Sequence, residues 1–315
     1  MNYLEFESKI KEVEDQITSL SHIFEDEKTE KKLQKLNKKR LDLMESTYSK
    51  LTDWQVVQLS RHPDRPYFKD LLPFIFTDFQ ELHGDRAFGD DLAVIGGMAK
   101  LNNVPVMVIG QEKGRDTKSK IKHNFGMMHP EGYRKALRLM KLAEKFDMPI
   151  VTFIDTPGAY PGIKAEERGQ SEAIARNLFE MSALKVPIVC TVIGEGCSGG
   201  ALGIGVGDKL LMLQYSYFAT ISPEGCATIL HKTAEKAADI TQMMNITSGR
   251  LKELKIVDGV ISEPLGGAHR NYMVTADNIR QTLAKEIKEL NAMTVENRNS
   301  KRYDKLMSFG QFEEN

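Results

Sequence analysis

Val186-Pro187-Ile188-Val189-Cys190-Thr191-Val192-Ile193-Gly194-Glu195-Gly196-Cys197-Ser198-Gly199-Gly200-Ala201-Leu202 is an apolar run that ends in clustered glycines and continues into small residues. A run this short predicts a buried strand, a tight turn and the first turn of a helix. The stretch has an echo. Met148-Pro149-Ile150-Val151 and Val186-Pro187-Ile188-Val189 lie 38 residues apart (148 to 186), and at that offset Gly158 falls on Gly196 and Gly162 on Gly200. A looser third copy, Val104-Pro105-Val106-Met107-Val108-Ile109-Gly110, precedes them by 44. Repeated strand, glycine loop and helix units of about 40 residues predict an α/β fold, either a doubly wound sheet or a spiral of stacked units. In both, the loops collect on one side and make a ligand site.

The glycine turn sets the first chemical expectation. N–H groups in the first turn of a helix have no partner inside it, and the macrodipole places roughly half a positive charge there, so an oxyanion or phosphate is favoured.

Upstream, Phe6, Ile10, Val13, Ile17, Leu20 and Phe24 step by three and four between charged positions, and Leu41, Met44, Tyr48 and Leu51 form a second seam. These predict a helical hairpin over residues 1–50 that packs on a partner surface. Residues 28–40 hold seven basic side chains against Glu30; a solvated helix face is favoured over a nucleic-acid surface. The main domain is expected over residues 51–293. Within it, residues 74–82 and 131–146 are expected as helices, 92–101 and 104–109 as strands about an Asn102-Asn103 turn, and 111–123 as a basic loop. Residues 166–184 read as helical, 209–213, 217–221 and 256–261 as strands, and 222–225 as a turn. Asp277 is expected to cap a last helix, and residues 294–315 to form a loosely ordered polar tail.

With 41% hydrophobic and 28% charged residues in 315, the chain has the composition of a globular protein with one sizeable core. A formal net charge of -1 gives no field that would recruit nucleic acid or a membrane. Cys190, Cys197 and Cys226 lack C-x-x-C spacing, and the seven histidines, His22 among them, form no ligand pair at helical spacing, so no metal site is expected. No signal peptide or apolar run of about 20 residues is found, and a cytoplasmic location is expected.

Gly196-Cys197-Ser198-Gly199-Gly200 also satisfies G-x-S-x-G, the nucleophile elbow of serine hydrolases, with Asp239 or Asp258 and then His269 in hydrolase order. Against this, the equivalent loop Gly158-Ala159-Tyr160-Pro161-Gly162 keeps the glycines and has tyrosine in place of the serine. What the loops share is backbone geometry, so Ser198 is expected to line the turn. No Gly-Lys-Ser/Thr follows the glycines, which removes a Walker phosphate loop. Arg168 has no helix-dipole reason to stand near Glu166 and Glu167, and is a candidate for bidentate contact with a substrate carboxyl group.

Longer motifs carry a family resemblance. Asp155-Thr156-Pro157-Gly158-Ala159-Tyr160-Pro161-Gly162, Glu195-Gly196-Cys197-Ser198-Gly199-Gly200-Ala201-Leu202 and Tyr217-Phe218-Ala219-Thr220-Ile221-Ser222-Pro223-Glu224-Gly225-Cys226-Ala227 resemble the carboxyltransferase alpha subunit of bacterial multisubunit acetyl-CoA carboxylase. Leu254-Lys255-Ile256-Val257-Asp258-Gly259-Val260-Ile261 resembles the closing helix and strand of the crotonase superfamily.

The resemblance implies a crotonase-type spiral of ββα units, joined to a carboxyltransferase beta subunit as α2β2. It implies carboxyl transfer from carboxybiotin, on a biotin carboxyl carrier protein, to acetyl-CoA, giving malonyl-CoA for fatty acid synthesis. Another acyl-CoA acceptor is the alternative. Gly199, Gly200 and the N–H of Ala201 would form the oxyanion hole for the biotin ureido oxygen. Substrate-binding candidates are Gly158, Ala159, Tyr160, Gly162, Gly196 and Ser198, with Lys113 and Arg115 as candidates for coenzyme A phosphates. Zinc is expected in the beta subunit, and ATP is expected to be used by the biotin carboxylase component.

Overall fold

In the computed structural model, which describes residues 2–21 and 27–310, the two copies of the repeat lie side by side as parallel strands. Ile150 stands opposite Ile188 and Ile154 opposite Val192, the 38-residue offset of the sequence. Among the described residues eight strands form one sheet: β1 (Thr77–Glu81), β2 (Val94–Leu101), β3 (Val104–Gln111), β4 (Ile150–Thr156), β5 (Ile188–Cys197), β6 (Lys209–Leu213), β7 (Tyr217–Ala219) and β8 (Gly259–Ile261). The order is β1-β2-β3-β4-β5-β6-β8, and β7 pairs with the far end of β5. The first two pairings are antiparallel and the rest parallel.

The helices are α1 (Ser8–Ser21), α2 (Glu27–Tyr48), α3 (Asp53–Ser60), α4 (Phe68–Ile75), α5 (Thr117–Lys122), α6 (Pro130–Lys145), α7 (Ile163–Glu167), α8 (Gln170–Ala183), α9 (Ser198–Leu202), α10 (Pro223–His231), α11 (Ala237–Met244), α12 (Ser248–Glu253), α13 (Tyr272–Asn291) and α14 (Val295–Met307). Every residue of β4 and β5 is buried, as parallel strands covered on both faces must be. Side chains alternate between those faces. Ile150 and Ile154 meet Leu139, Met140 and Ala143 of α6 in one cluster, and Val151 and Phe153 meet Phe68 and Leu71 of α4 and Ile279 and Leu283 of α13 in the other. Each such aliphatic burial stabilises by about 1.5–3 kcal/mol.

The N-terminal helices α1 and α2 pack together through Ile10, Met44 and Tyr48. They attach to the main body where Tyr48 packs on Tyr215 and Arg270 pairs with Glu7 and Glu14. Phe24 and His22 lie outside the described residues.

Several local expectations are corrected. Residues 77–81, expected within a helix, are strand β1, because the open edge of β2 pairs with them. The third repeat copy sits one residue out of its sequence offset: Met107, not Val106, faces Ile150, because the hairpin with β2 fixes the register of β3. Residues 166–184 hold two helices, broken where Gly169 takes a φ of 78°. The basic loop contains α5, capped by Asp116. The strand expected over 217–221 stops at Ala219, and the turn at 222–225 is the start of α10, where Ser222 caps and Pro223 holds the first position. The cap of the long helix is Asn271, six residues before Asp277, which instead binds Arg280 and Gln281. Within the polar tail, Val295–Met307 form α14. Its Arg302 is buried, with Asp208 at 2.7 and 2.8 Å and the carbonyls of Met181, Leu184 and Val186 at 2.8–3.0 Å.

Candidate active site

The carboxyl ends of β3, β4 and β5 meet where the glycine loops begin. The Asp155 side chain accepts a hydrogen bond from the Glu195 N–H at 2.9 Å, and Gly194 leaves room for it, since a Cβ there would stand 2.5 Å from Asp155 Oδ1. Between Ile154 and Thr156 the pairing of β4 with β5 is irregular, and the offset grows from 38 to 40, with Thr156 opposite Gly196. The two loops therefore do not superpose at 38 as the sequence reads. Gly200 lies against Gly158, not in register with Gly162: a Cβ on Gly200 would be 2.3 Å from Gly158 C and 2.6 Å from Ala159 N.

Helix α9 is a single short turn. Ser198 is exposed, at a φ of 57°, Gly199 is half-buried and Gly200 is buried. The N–H groups of Gly199, Gly200 and Ala201 fall in this first turn, where no carbonyl four residues back belongs to the helix. Beside them opens a cleft of ≈ 560 Å³ lined by Ser198, Gly199, Leu202, Phe218 and Ile221, with no charged side chain in its wall.

On the other side of the strand ends lies a cluster of charges in which Lys113, Asp155 and Glu195 are buried and Arg61 and Glu224 are partly exposed. Lys113 Nζ is 2.6 Å from Asp155 Oδ1 and 2.5 Å from Glu195 Oε2. Arg61 Nε is 2.6 Å from Glu195 Oε1, and its guanidinium also pairs with Glu224. The Tyr217 hydroxyl donates to Glu195 at 2.9 Å. Burial pushes the Glu195 carboxyl up, but Lys113 and Arg61 together pull it down further, to about 2. The two carboxylates likewise hold the Lys113 ammonium above its ordinary range against the opposing effect of burial.

Lys113, expected to meet coenzyme A phosphates, is paired with Asp155 and Glu195. Arg115 is equally engaged: it donates to the carbonyls of Pro63 and Arg65 at 2.8 and 2.9 Å, pairs with Asp70 and stacks on Tyr67. Arg168, expected to meet a substrate carboxyl group, is held by both oxygens of Glu131 at 2.9 and 3.0 Å and lies over the Phe88 ring. Glu131 sits in the first turn of α6, a partner the sequence reading did not consider. Tyr160 stacks on His129 with ring centroids 4.1 Å apart, and Gly162 packs under the Tyr160 ring. Gly196 lies against Phe218 at the cleft. Gly158, Ala159, Gly196, Ser198, Gly199, Gly200 and Ala201 are thus brought together, while Arg115 and Arg168 are held elsewhere.

The hydrolase arrangement does not assemble. Among the described residues no histidine or carboxylate hydrogen-bonds Ser198. His269 instead stacks on His62 with centroids 3.8 Å apart, and burial and neighbouring cations push it down to about 3. Asp258 binds the Leu210 N–H and Lys305, and Asp239 is exposed on α11.

The sequence reading missed Arg61 and Gln111. Arg61 is 134 residues from Glu195 and carries no local signal. Gln111 closes a strand of apolar residues, which was a signal, and its side chain joins Asp155 N to Gly200 O. Among the described residues no group of three or more His, Cys, Asp or Glu is arranged to hold a metal ion, and no helix is long and apolar enough to cross a membrane.

Residues 3–310 match the family described as acetyl co-enzyme A carboxylase carboxyltransferase-like. The chain is 87% identical over 314 residues, the full length of both, to the acetyl-coenzyme A carboxylase carboxyl transferase subunit alpha of Francisella tularensis subsp. novicida. Among solved structures it resembles the transcarboxylase 12S core with methylmalonyl-coenzyme A bound, at 18% identity and a TM-score of 0.58, over 73% of this chain and 44% of that one. It also resembles the P. aeruginosa geranyl-CoA carboxylase beta subunit, at 14% identity and a TM-score of 0.55, over 80% of this chain and 45% of that one. The chain spans less than half the length of these two neighbours, and the likeness is one of fold, the crotonase type.

Proposed function

The chain belongs to the acetyl co-enzyme A carboxylase carboxyltransferase-like family, and from that premise we propose that its glycine turn is the carboxyl-donor half of an active site whose other half lies on a beta subunit. The activity is carboxyl transfer to acetyl-CoA, from a donor linked to biotin.

The residues present suit that donor. The cleft beside Gly199 has apolar walls and no charged side chain, which fits an uncharged fused ring, and the turn next to it offers N–H groups and no nucleophile with a base. When bound, carboxybiotin supplies the carboxyl group and takes up the negative charge that its release leaves. The N–H groups of Gly199, Gly200 and Ala201 are fixed before reaction, and stabilise negative charge on an oxygen beside them without reorganising. Gly158 and Ala159 support the turn from behind, and Gly196 and Ser198 flank it. The cluster of Lys113, Asp155, Glu195 and Arg61 holds the strand ends that carry both loops.

The beta subunit completes the site, binds the thioester and holds zinc, in an α2β2 assembly that the N-terminal helical hairpin helps to pack. The biotin carboxyl carrier protein brings the donor, and a biotin carboxylase consumes ATP to recharge it, all in the cytoplasm.

One observation carries the reading: Gly199 of the turn lines a cleft with no charged side chain, while Gly200 beside it is pressed from behind on the Gly158 backbone. The test is to mix the chain with a beta subunit and measure decarboxylation of malonyl-CoA that depends on free biotin. Turnover that requires both chains and biotin is expected. No turnover in the mixture, or labelling of Ser198 by a fluorophosphonate, would overturn it.

A further inference from the structure

Gln111 ends β3 with its side chain wholly buried between the two glycine loops. Its Oε1 accepts from the Asp155 N–H at 2.9 Å, and its Nε2 donates to the Gly200 carbonyl at 2.8 Å. The orientation of the amide is forced. One end meets a donor and the other an acceptor, and the flipped amide would set oxygen against oxygen and N–H against N–H.

The Gly200 carbonyl is outside the helical ladder. Gly203 N donates to Gly199 O at 2.9 Å, and Ile204, which in a continued α-helix would reach Gly200, donates to Ala201 O at 3.3 Å. Besides Gln111, the Tyr133 hydroxyl donates to this carbonyl at a longer 3.5 Å. The peptide bonds here are trans, so the Gly200 carbonyl and the Ala201 N–H belong to one planar unit and point in opposite directions. Whatever fixes the carbonyl fixes the N–H. Glycine rotates about its own bonds at little cost, so the Gly200–Ala201 peptide depends on this hydrogen bond for its orientation more than a substituted residue would.

We propose that Gln111 is a positioning residue: by holding the Gly200 carbonyl on the buried side of the turn, it aims the Ala201 N–H outward, toward the oxygen on which charge develops. The inference rests on the reading of the turn as an oxyanion site. It adds an acceptor-side restraint to a site otherwise defined by its donors. Gln111 touches no substrate and acts through the peptide alone.

The competing account is structural: buried carbonyls require a partner, and Gln111 supplies one. The two accounts differ in what they move. In the complex with the beta subunit, Gln111→Glu keeps the shape and the acceptor for Asp155 N but loses the donor to Gly200. A fall in kcat of at least about ten-fold is expected, bounded by the ~10²–10³ that loss of a whole oxyanion donor costs, with KM for malonyl-CoA within about twofold of wild type. Activity of Gln111→Glu relative to wild type should rise as pH is lowered, because the protonated carboxyl group donates again.

Gln111→Met, of similar bulk and without either hydrogen bond, is the second variant should the first not fold; it should show the same fall in kcat and no recovery at low pH. Turnover is read per folded complex. Wild-type kcat in a folded variant with only the melting temperature lowered would overturn the proposal. A wild-type complex without biotin-dependent turnover would instead sink the carboxyltransferase reading on which it rests.

Discussion

A single methyl group at Gly200 tests the turn most directly. The Cβ of Gly200→Ala would lie 2.3 Å from Gly158 C, 2.6 Å from Ala159 N and 2.7 Å from Gly158 O, all backbone atoms. Carbon atoms settle at about 3.5–4.0 Å, so the two loops must part by roughly 1 Å. Overpacking of this kind costs about 1–3 kcal/mol in stability, which for a chain of this size is a shift in melting temperature of a few degrees. The larger effect is on the N–H groups carried by the displaced turn: loss of one oxyanion donor costs about 10²–10³ in kcat, or roughly 2.7–4 kcal/mol.

Gly199→Ala is the control. Its Cβ would meet only Ile174 Cδ1 and Cγ2, both at 3.6 Å, an ordinary contact. Biotin-dependent decarboxylation of malonyl-CoA by the complex, with melting curves of both variants, separates them. Gly200→Ala should lose most of its turnover while remaining folded, and Gly199→Ala should lose far less. Wild-type turnover in Gly200→Ala, or equal losses in the two variants, would refute the placement of the turn against Gly158.

The remaining predictions concern the serine, the charge cluster and the C-terminal helix. Ser198→Ala should leave kcat within a few-fold of wild type, since no base touches the hydroxyl, and Ser198→Gly should be as stable or more so, because glycine relieves the φ of 57°. The Glu195 carboxyl, held at about 2 in the folded chain against an ordinary 4.5, contributes stability that is complete above about 4.5 and drains away as pH falls toward 2; acid unfolding followed by circular dichroism checks this. Lys113→Met leaves Asp155 and Glu195 facing each other without the cation they share and should cost about 3–5 kcal/mol at neutral pH, a cost that shrinks on acidification as the two carboxyl groups take up protons. Arg302→Met strands the buried Asp208 and should cost a similar ~3–5 kcal/mol in chemical denaturation, while kcat per folded complex stays unchanged.

Much of the fold is written locally. The continuous apolar runs, with a proline at or just before the start of each and glycines at or just beyond its end, mark β3, β4 and β5, and the 38-residue spacing survives as the register of Ile150 on Ile188. Asn102 and Asn103 form the tight turn with φ of 47° and 67°, as their tolerance of that region predicts. The apolar stripe through Ala136, Leu139, Met140 and Ala143 gives α6 its buried face. The likeness of the long glycine motifs to one enzyme family is also a property of the sequence alone.

What the sequence did not carry are partners far apart along the chain. The irregular pairing after Ile154, where β5 carries two more residues than β4, takes the loops off the 38-residue offset, and Gly200 comes to lie on Gly158 rather than on Gly162. Lys113 and Arg168 read as exposed cations open to a ligand, because a one-dimensional pattern shows charge but not what neutralises it: Asp155 and Glu195 for one, Glu131 for the other. The polar composition of the tail hid α14, whose Arg302 finds Asp208 94 residues away. The sequence by itself determined the repeat, the strands and the glycine turn, since these follow from local periodicity and backbone preference. Only the tertiary structure decided which way the turn faces and which charges are neutralised, since a buried charge is costly unless paired and its partners here come from distant parts of the chain.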